Sequence, residues 1–147
     1  MPLPPVTDAD SQAGGFALWT AVIMAGQRPE GDPMAAYCNV RYKALIPIAG
    51  RSMLERVTRA LLGSVHVGRI IIMAQAPDAL KAGLDADLAD NERIGFAQSN
   101  DGLAASIHKI AGSAIAPWPV LVTTADNALL TAEILDCFFE RHSGQDV

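Results

Sequence analysis

The residues best suited to chemistry lie between Thr20 and Pro47. A short apolar run, Ala21-Val22-Ile23-Met24-Ala25, stops at Gly26 and opens into a loop carrying Arg28, Gly31, Arg41 and Lys43. A strand that runs into a glycine-bearing, cationic loop can hold a phosphate. Backbone N–H groups converge where no Cβ stands in the way, and the cations neutralise the ligand's charge. From Arg28 to Arg51 four cations (Arg28, Arg41, Lys43, Arg51) stand against two anions (Glu30, Asp32), in a chain whose net charge is −5. Such a positive island suits a compact anion such as a nucleotide triphosphate; the plain alternative is a solvated loop with incidental cations.

Two familiar phosphate loops fail on spacing. The Walker pattern requires Lys and Ser/Thr after its second glycine, but Asp32 and Pro33 follow Gly31. The dinucleotide fingerprint requires G-x-G-x-x-G leading directly into a helix. Here Gly26-Gln27-Arg28 breaks the triplet, and Pro29 with a long loop replaces the helix. A third pattern fits: A-G-x-R at Ala25-Gly26-Gln27-Arg28, a variable loop, then Lys43 before Ala44-Leu45-Ile46-Pro47-Ile48 and the turn Ala49-Gly50-Arg51. The chain carries no Ser-His-Asp arrangement or Cys/His ligand cluster; His108 and the two cysteines, Cys38 and Cys137, read as bystanders.

The elements that must position this loop alternate in period. Ala21–Ala25, 69–74, 93–98 and 120–124 read as strands, the second too continuously apolar to have a wet face. The extended piece before Pro47 leads to a helix from Ser52, where Ser52-Met53-Leu54-Glu55 matches a capping box and Gly63 a stop. Further helices are expected over 77–90 (mostly exposed), 102–114 (capped by Ser99, Asn100 or Asp101) and 131–141, with Ile134, Leu135, Phe138 and Phe139 turned inward. Trp19 and Trp118 are expected to pack at the far end of the sheet. Strands joined by crossover helices give an α/β fold, a three-layer α/β/α sandwich with a mostly parallel sheet. With spatial order 3-2-1-4, the first and fourth strands are neighbours whose crossovers leave on opposite faces. Ligands then bind outside the carboxyl ends, where the loop from Ala25 and Asp126 would meet.

The totals bound the rest. A chain of 147 residues is one domain by length, with residues 1–18 expected as a flexible leader and 19–147 as the folded unit. The acidic balance argues against a nucleic-acid partner. No apolar run approaches the roughly 20 residues of a membrane-spanning helix, and the N-terminus lacks a secretory pattern. With two distant cysteines, a cytoplasmic protein is expected.

On the A-G-x-R loop and Lys43 the sequence resembles the nucleotidyltransferases of the glycosyltransferase-A-like fold, most nearly the MobA-like NTP transferases (molybdenum cofactor guanylyltransferase-like). Two later segments carry the likeness further: Ser99-Asn100-Asp101-Gly102-Leu103-Ala104-Ala105-Ser106, and Val120 to Thr131 around Asp126. The resemblance implies a nucleotide-diphospho-sugar transferase-like (Rossmann-like) N-terminal half. It implies an NTP and a small-molecule acceptor as partners, with Mg²⁺ held by Asp126. Ala25, Gly26 and Gln27 would bind nucleotide, Arg28 the β/γ-phosphates and Lys43 the α-phosphate, while Gly102 and Ser106, with Ser99, would border the base. Departures are Gln27, where many relatives have a second glycine, the long loop between Arg28 and Lys43, and a chain that stops where such enzymes continue. A non-catalytic nucleotide-binding half-domain is therefore the alternative, a response-regulator-like phosphate binder a weaker one. Apolar surface left bare would allow a homo-oligomer.

Overall fold

The computed structural model describes residues 18–99 and 102–142. The leader, except Leu18, and the cap candidates Asn100 and Asp101 lie outside the described residues. Strands β1 (Trp19–Met24), β4 (Val67–Ala74), β5 (Ile94–Gln98) and β6 (Val120–Thr124) form a parallel sheet in the order β5-β4-β1-β6. This is the expected 3-2-1-4 order. A two-strand hairpin, β2 (Pro47–Ile48) and β3 (Arg51–Ser52), stands apart from it. The piece before Pro47, expected to be extended, begins as a 3₁₀ turn over Lys43–Leu45.

Alternation along the central strands builds two cores. Ala21, Ile23, Ile70 and Ile72 point to one face and pack with Leu54, Val57 and Leu61 of α2 (Met53–Gly63) and with Leu80, Leu88, Leu135 and Phe139. Val22, Met24, Ile71 and Met73 point to the other, where α5 (Leu103–Ile110) supplies Ile110. Both faces are apolar, which is why these strands read as continuous hydrophobic runs. Ser52 caps α2 by accepting the Glu55 N–H at 3.1 Å, as the capping-box spacing predicts.

Several expectations are corrected. The helix predicted over 77–90 is two short ones, α3 (Pro77–Ala82) and α4 (Ala86–Ala89), broken at Gly83; the segment is mostly exposed as expected, Asp78, Asp85, Asp87 and Asp90 included, with Leu80, Leu84 and Leu88 buried beneath. The helix after Gly102 ends at Ile110, before Gly112 takes a φ of 81°. In α6 (Ala132–His142) Leu135 and Phe139 are buried, but Ile134 and Phe138 are 54% and 40% exposed. Trp19 packs on Phe139, with ring centroids 5.1 Å apart, whereas Trp118 is exposed.

The crossover geometry also differs from expectation. Phe139 and Leu135 join the core that α2 fills, so α6 lies on the same face as α2 rather than the opposite one. Gly63 allows this approach, since a Cβ there would stand 3.2 Å from the Ala132 methyl. The connection that uses the second face is α5, which carries the chain from β5 across to β6.

Candidate functional site

The carboxyl ends of β1 and β6 lie side by side, because Ala21 to Met24 pair in parallel register with Leu121 to Thr124. The ladder continues one step past both strands, the Ala125 N–H donating to the Met24 carbonyl at 3.0 Å. Two loops therefore leave the sheet together, one starting at Ala25 and Gly26, the other holding Asp126. Across them the Lys43 ammonium meets the Asp126 carboxylate at 3.2 Å, with side chains 39% and 49% exposed. The structure thus brings together the cation and the acid singled out from sequence, 83 positions apart.

Asp126 is ordered by two donors. Its Oδ1 accepts from the Thr124 hydroxyl at 2.6 Å and its Oδ2 from Lys43 Nζ. These bonds, the Thr124 one first, hold the carboxyl below its ordinary value against a smaller opposing effect of desolvation. Among the described residues no three His, Cys, Asp or Glu side chains come together as a metal cage. One half-exposed carboxylate fits magnesium, which takes one or two protein carboxylates and completes its shell with water and substrate phosphates. It does not fit a cation that needs an all-protein cage.

The first loop encloses a concavity of roughly 690 Å³, lined by Gly26, Gln27, Arg28, Arg41 and Lys43 and also by Glu30 and Asp32. Asp32 caps the short helix α1 (Pro33–Tyr37), accepting from the N–H groups of Met34 and Ala35. Arg28 is exposed and takes part in none of the ion pairs among the described residues. The other cations of the island are engaged: Arg51 with Glu55 at 3.7 Å, and Arg41 over the Tyr42 ring at 5.3 Å. Ala25 gives its N–H to the Met73 carbonyl, so that donor belongs to the sheet.

Gln27 is fully engaged with protein. Its backbone N–H donates to Gln75 Oε1 at 2.9 Å, its Nε2 to the Arg41 carbonyl at 2.8 Å, and its Oε1 accepts the Lys43 N–H at 2.7 Å. Gln75, just beyond β4, was missed by sequence reasoning; a lone glutamine after a buried strand gives no signal. On the other side of the sheet end, Ser99 and Ser106 are buried and share a hydroxyl contact of 3.1 Å, and Ser106 also donates to the Gly102 carbonyl. Gly102 begins α5 at a φ of 89° with no side-chain cap. These three form a unit separate from the Lys43–Asp126 contact.

Comparison with known proteins finds the same fold in solved structures. A solved structure described as a hypothetical transferase from Thermus thermophilus is 23% identical, with a TM-score of 0.59, over 85% of this chain and 47% of its own. A protein from Mycobacterium tuberculosis is 16% identical, with a TM-score of 0.59, over 86% of this chain and 62% of its own. CMP:2-keto-3-deoxy-manno-octonic acid synthetase, solved with CTP, is 14% identical, with a TM-score of 0.56, over 85% of this chain and 47% of its own. At these identities the likeness is one of fold, and the chain spans between 47% and 62% of the length of these structures. No curated protein matches the sequence. The family model for the MobA-like NTP transferase domain matches residues 21–147, from the third residue of β1 onward, and the chain belongs to that family.

Proposed function

We propose that this chain is the nucleotide-binding part of a nucleotidyltransferase, which moves an NMP group from an NTP to a small phosphorylated or hydroxyl acceptor and releases pyrophosphate. The observation that carries the reading is the Lys43–Asp126 contact at the joined ends of β1 and β6. Family membership and the CTP held by a fold neighbour support a nucleotide as the ligand.

In this reading an acceptor oxygen attacks the α-phosphorus, a P–O bond forms, and the bond to the bridging oxygen breaks with its electron pair leaving on pyrophosphate. A hydroxyl acceptor gives its proton to water. Such a transfer asks the protein for positioning and charge neutralisation rather than covalent help. Arg28 holds the β/γ-phosphates at the mouth of the loop. Lys43 faces the α-phosphate, where negative charge accumulates, and Gly26 and Gln27 line the same concavity. Gly102 and Ser106 border the base. Asp126 would hold magnesium, which would supply the charge neutralisation that a triphosphate needs beside an acidic protein. A second reading, a nucleotide-binding module without turnover, is favoured by the absence, among the described residues, of three metal-ligating side chains gathered at one place.

Thermal-shift titration of NTPs with Mg²⁺ tests the site. Wild type shifts upward, and Lys43→Ala and Asp126→Ala each lose most of the shift; wild-type shifts in both variants would put the nucleotide elsewhere. Pyrophosphate release with a panel of phosphorylated acceptors then separates the two readings, binding without release favouring the module.

A further inference from the structure

Lys43 sits at the end of a long loop, and a chain of that length leaves its cation many positions unless both ends are tied. Two amide side chains tie it. Gln75, which follows β4, accepts the Gln27 N–H with its Oε1 at 2.9 Å. The amide lies flat against the loop because residue 26 has no side chain; a Cβ there would stand 3.2 Å from Gln75 Nε2. Gln27 then spans the loop, its amide gripping the Arg41 carbonyl and the Lys43 N–H at 2.8 and 2.7 Å. From β5, Gln98 Nε2 reaches the Gln75 carbonyl at 3.4 Å.

We propose that Gln75 and Gln27 form a two-amide relay that fixes the backbone of Lys43, and so its ammonium, opposite Asp126. Gln75 is thereby a positioning residue for the site, and the proposal rests on the nucleotidyltransferase reading for what that site binds. Both ends of the Gln27 amide and its backbone N–H are taken by protein groups. The residue therefore acts on the loop, where a second glycine could not. Gln75 is exposed, so its loss leaves the core intact.

Amide hydrogen exchange on the full chain without ligand tests the relay. Gln75→Ala speeds exchange at the Gln27 and Lys43 amides together, roughly three- to tenfold, the scale of one ordinary hydrogen bond. The amides of Val22 and Ile23 and the melting temperature stay as in wild type. Gln75→Glu keeps an acceptor oxygen and keeps both amides slow. An unchanged Lys43 amide in Gln75→Ala overturns the relay. A second arm measures NTP affinity with Mg²⁺ in a double-mutant cycle. Gln75→Ala weakens binding about fivefold beside Lys43 and less than twofold in the Lys43→Ala background. Equal losses in both backgrounds would show Gln75 acting on the ligand itself and would overturn the relay as well. Wild type that binds no NTP overturns the nucleotide reading instead, with the exchange arm still deciding the relay.

Discussion

Asp126 has opposite duties with and without a ligand. Alone, it is the acceptor that satisfies Lys43 and Thr124; with magnesium bound it would release Lys43 to the phosphates. Asp126→Asn should therefore act with opposite signs. With Mg²⁺ the variant loses nucleotide affinity, while in metal-free buffer, with no carboxylate competing for Lys43, it binds NTP more tightly than wild type. Calorimetric titration in both buffers checks this, and losses of equal size in both would contradict it. The pH dependence follows from the depressed carboxyl. Its stabilising link is present above the ordinary carboxyl value of 3.8 and is lost as pH falls through the lower folded value. Because both side chains are well exposed, the link contributes no more than about 1 kcal/mol. The stability difference between wild type and Asp126→Asn should persist at pH 5 and close at more acid pH, as urea unfolding across that range would show.

At the scale of elements, the parts legible in the sequence were those specified by neighbours in the chain. The Ser52 cap and the Met53–Gly63 helix follow from local spacing, and Ser52→Ala should cost about 1 kcal/mol in urea unfolding. Gly102 likewise announces a turn, but its φ of 89° was not readable. A Cβ there would meet nothing within 4 Å, so Gly102→Ala carries only a backbone cost, on the order of 1–3 kcal/mol, visible as a lowered unfolding midpoint. What stayed hidden depends on distant partners. The break at Gly83 has Leu45 packed against it, within 2.7 Å of where a Cβ would be. The Gln27–Gln75 bond joins positions 48 apart. The side that α6 packs on is set by Phe139 stacking near Trp19 and His66, three residues no local pattern relates. The three residues expected to carry the chemistry, Arg28, Lys43 and Asp126, stand out from the loop and the strand end alone; the residues that hold Lys43 do not.

Across the whole molecule, β5 and β6 are the sheet edges, and Val122 of β6, Leu129 after it and Ile134 and Phe138 of α6 are exposed apolar side chains. Among the described residues no helix is long and apolar enough to cross a membrane. Adjacent phenylalanines on α6 separate the two environments. Phe139 is fully buried between Trp19 and His66, and Phe139→Ala should cost roughly 3–5 kcal/mol by opening a cavity. Phe138, part-exposed against His142, fills no core, and Phe138→Ser should change stability by less than about 1 kcal/mol. If the exposed set drives self-association, Ile134→Lys with Phe138→Ser should lower the concentration-dependent mass seen by light scattering while the melting temperature holds. The same mass in wild type and the double variant at every concentration would show that this face takes no part in association.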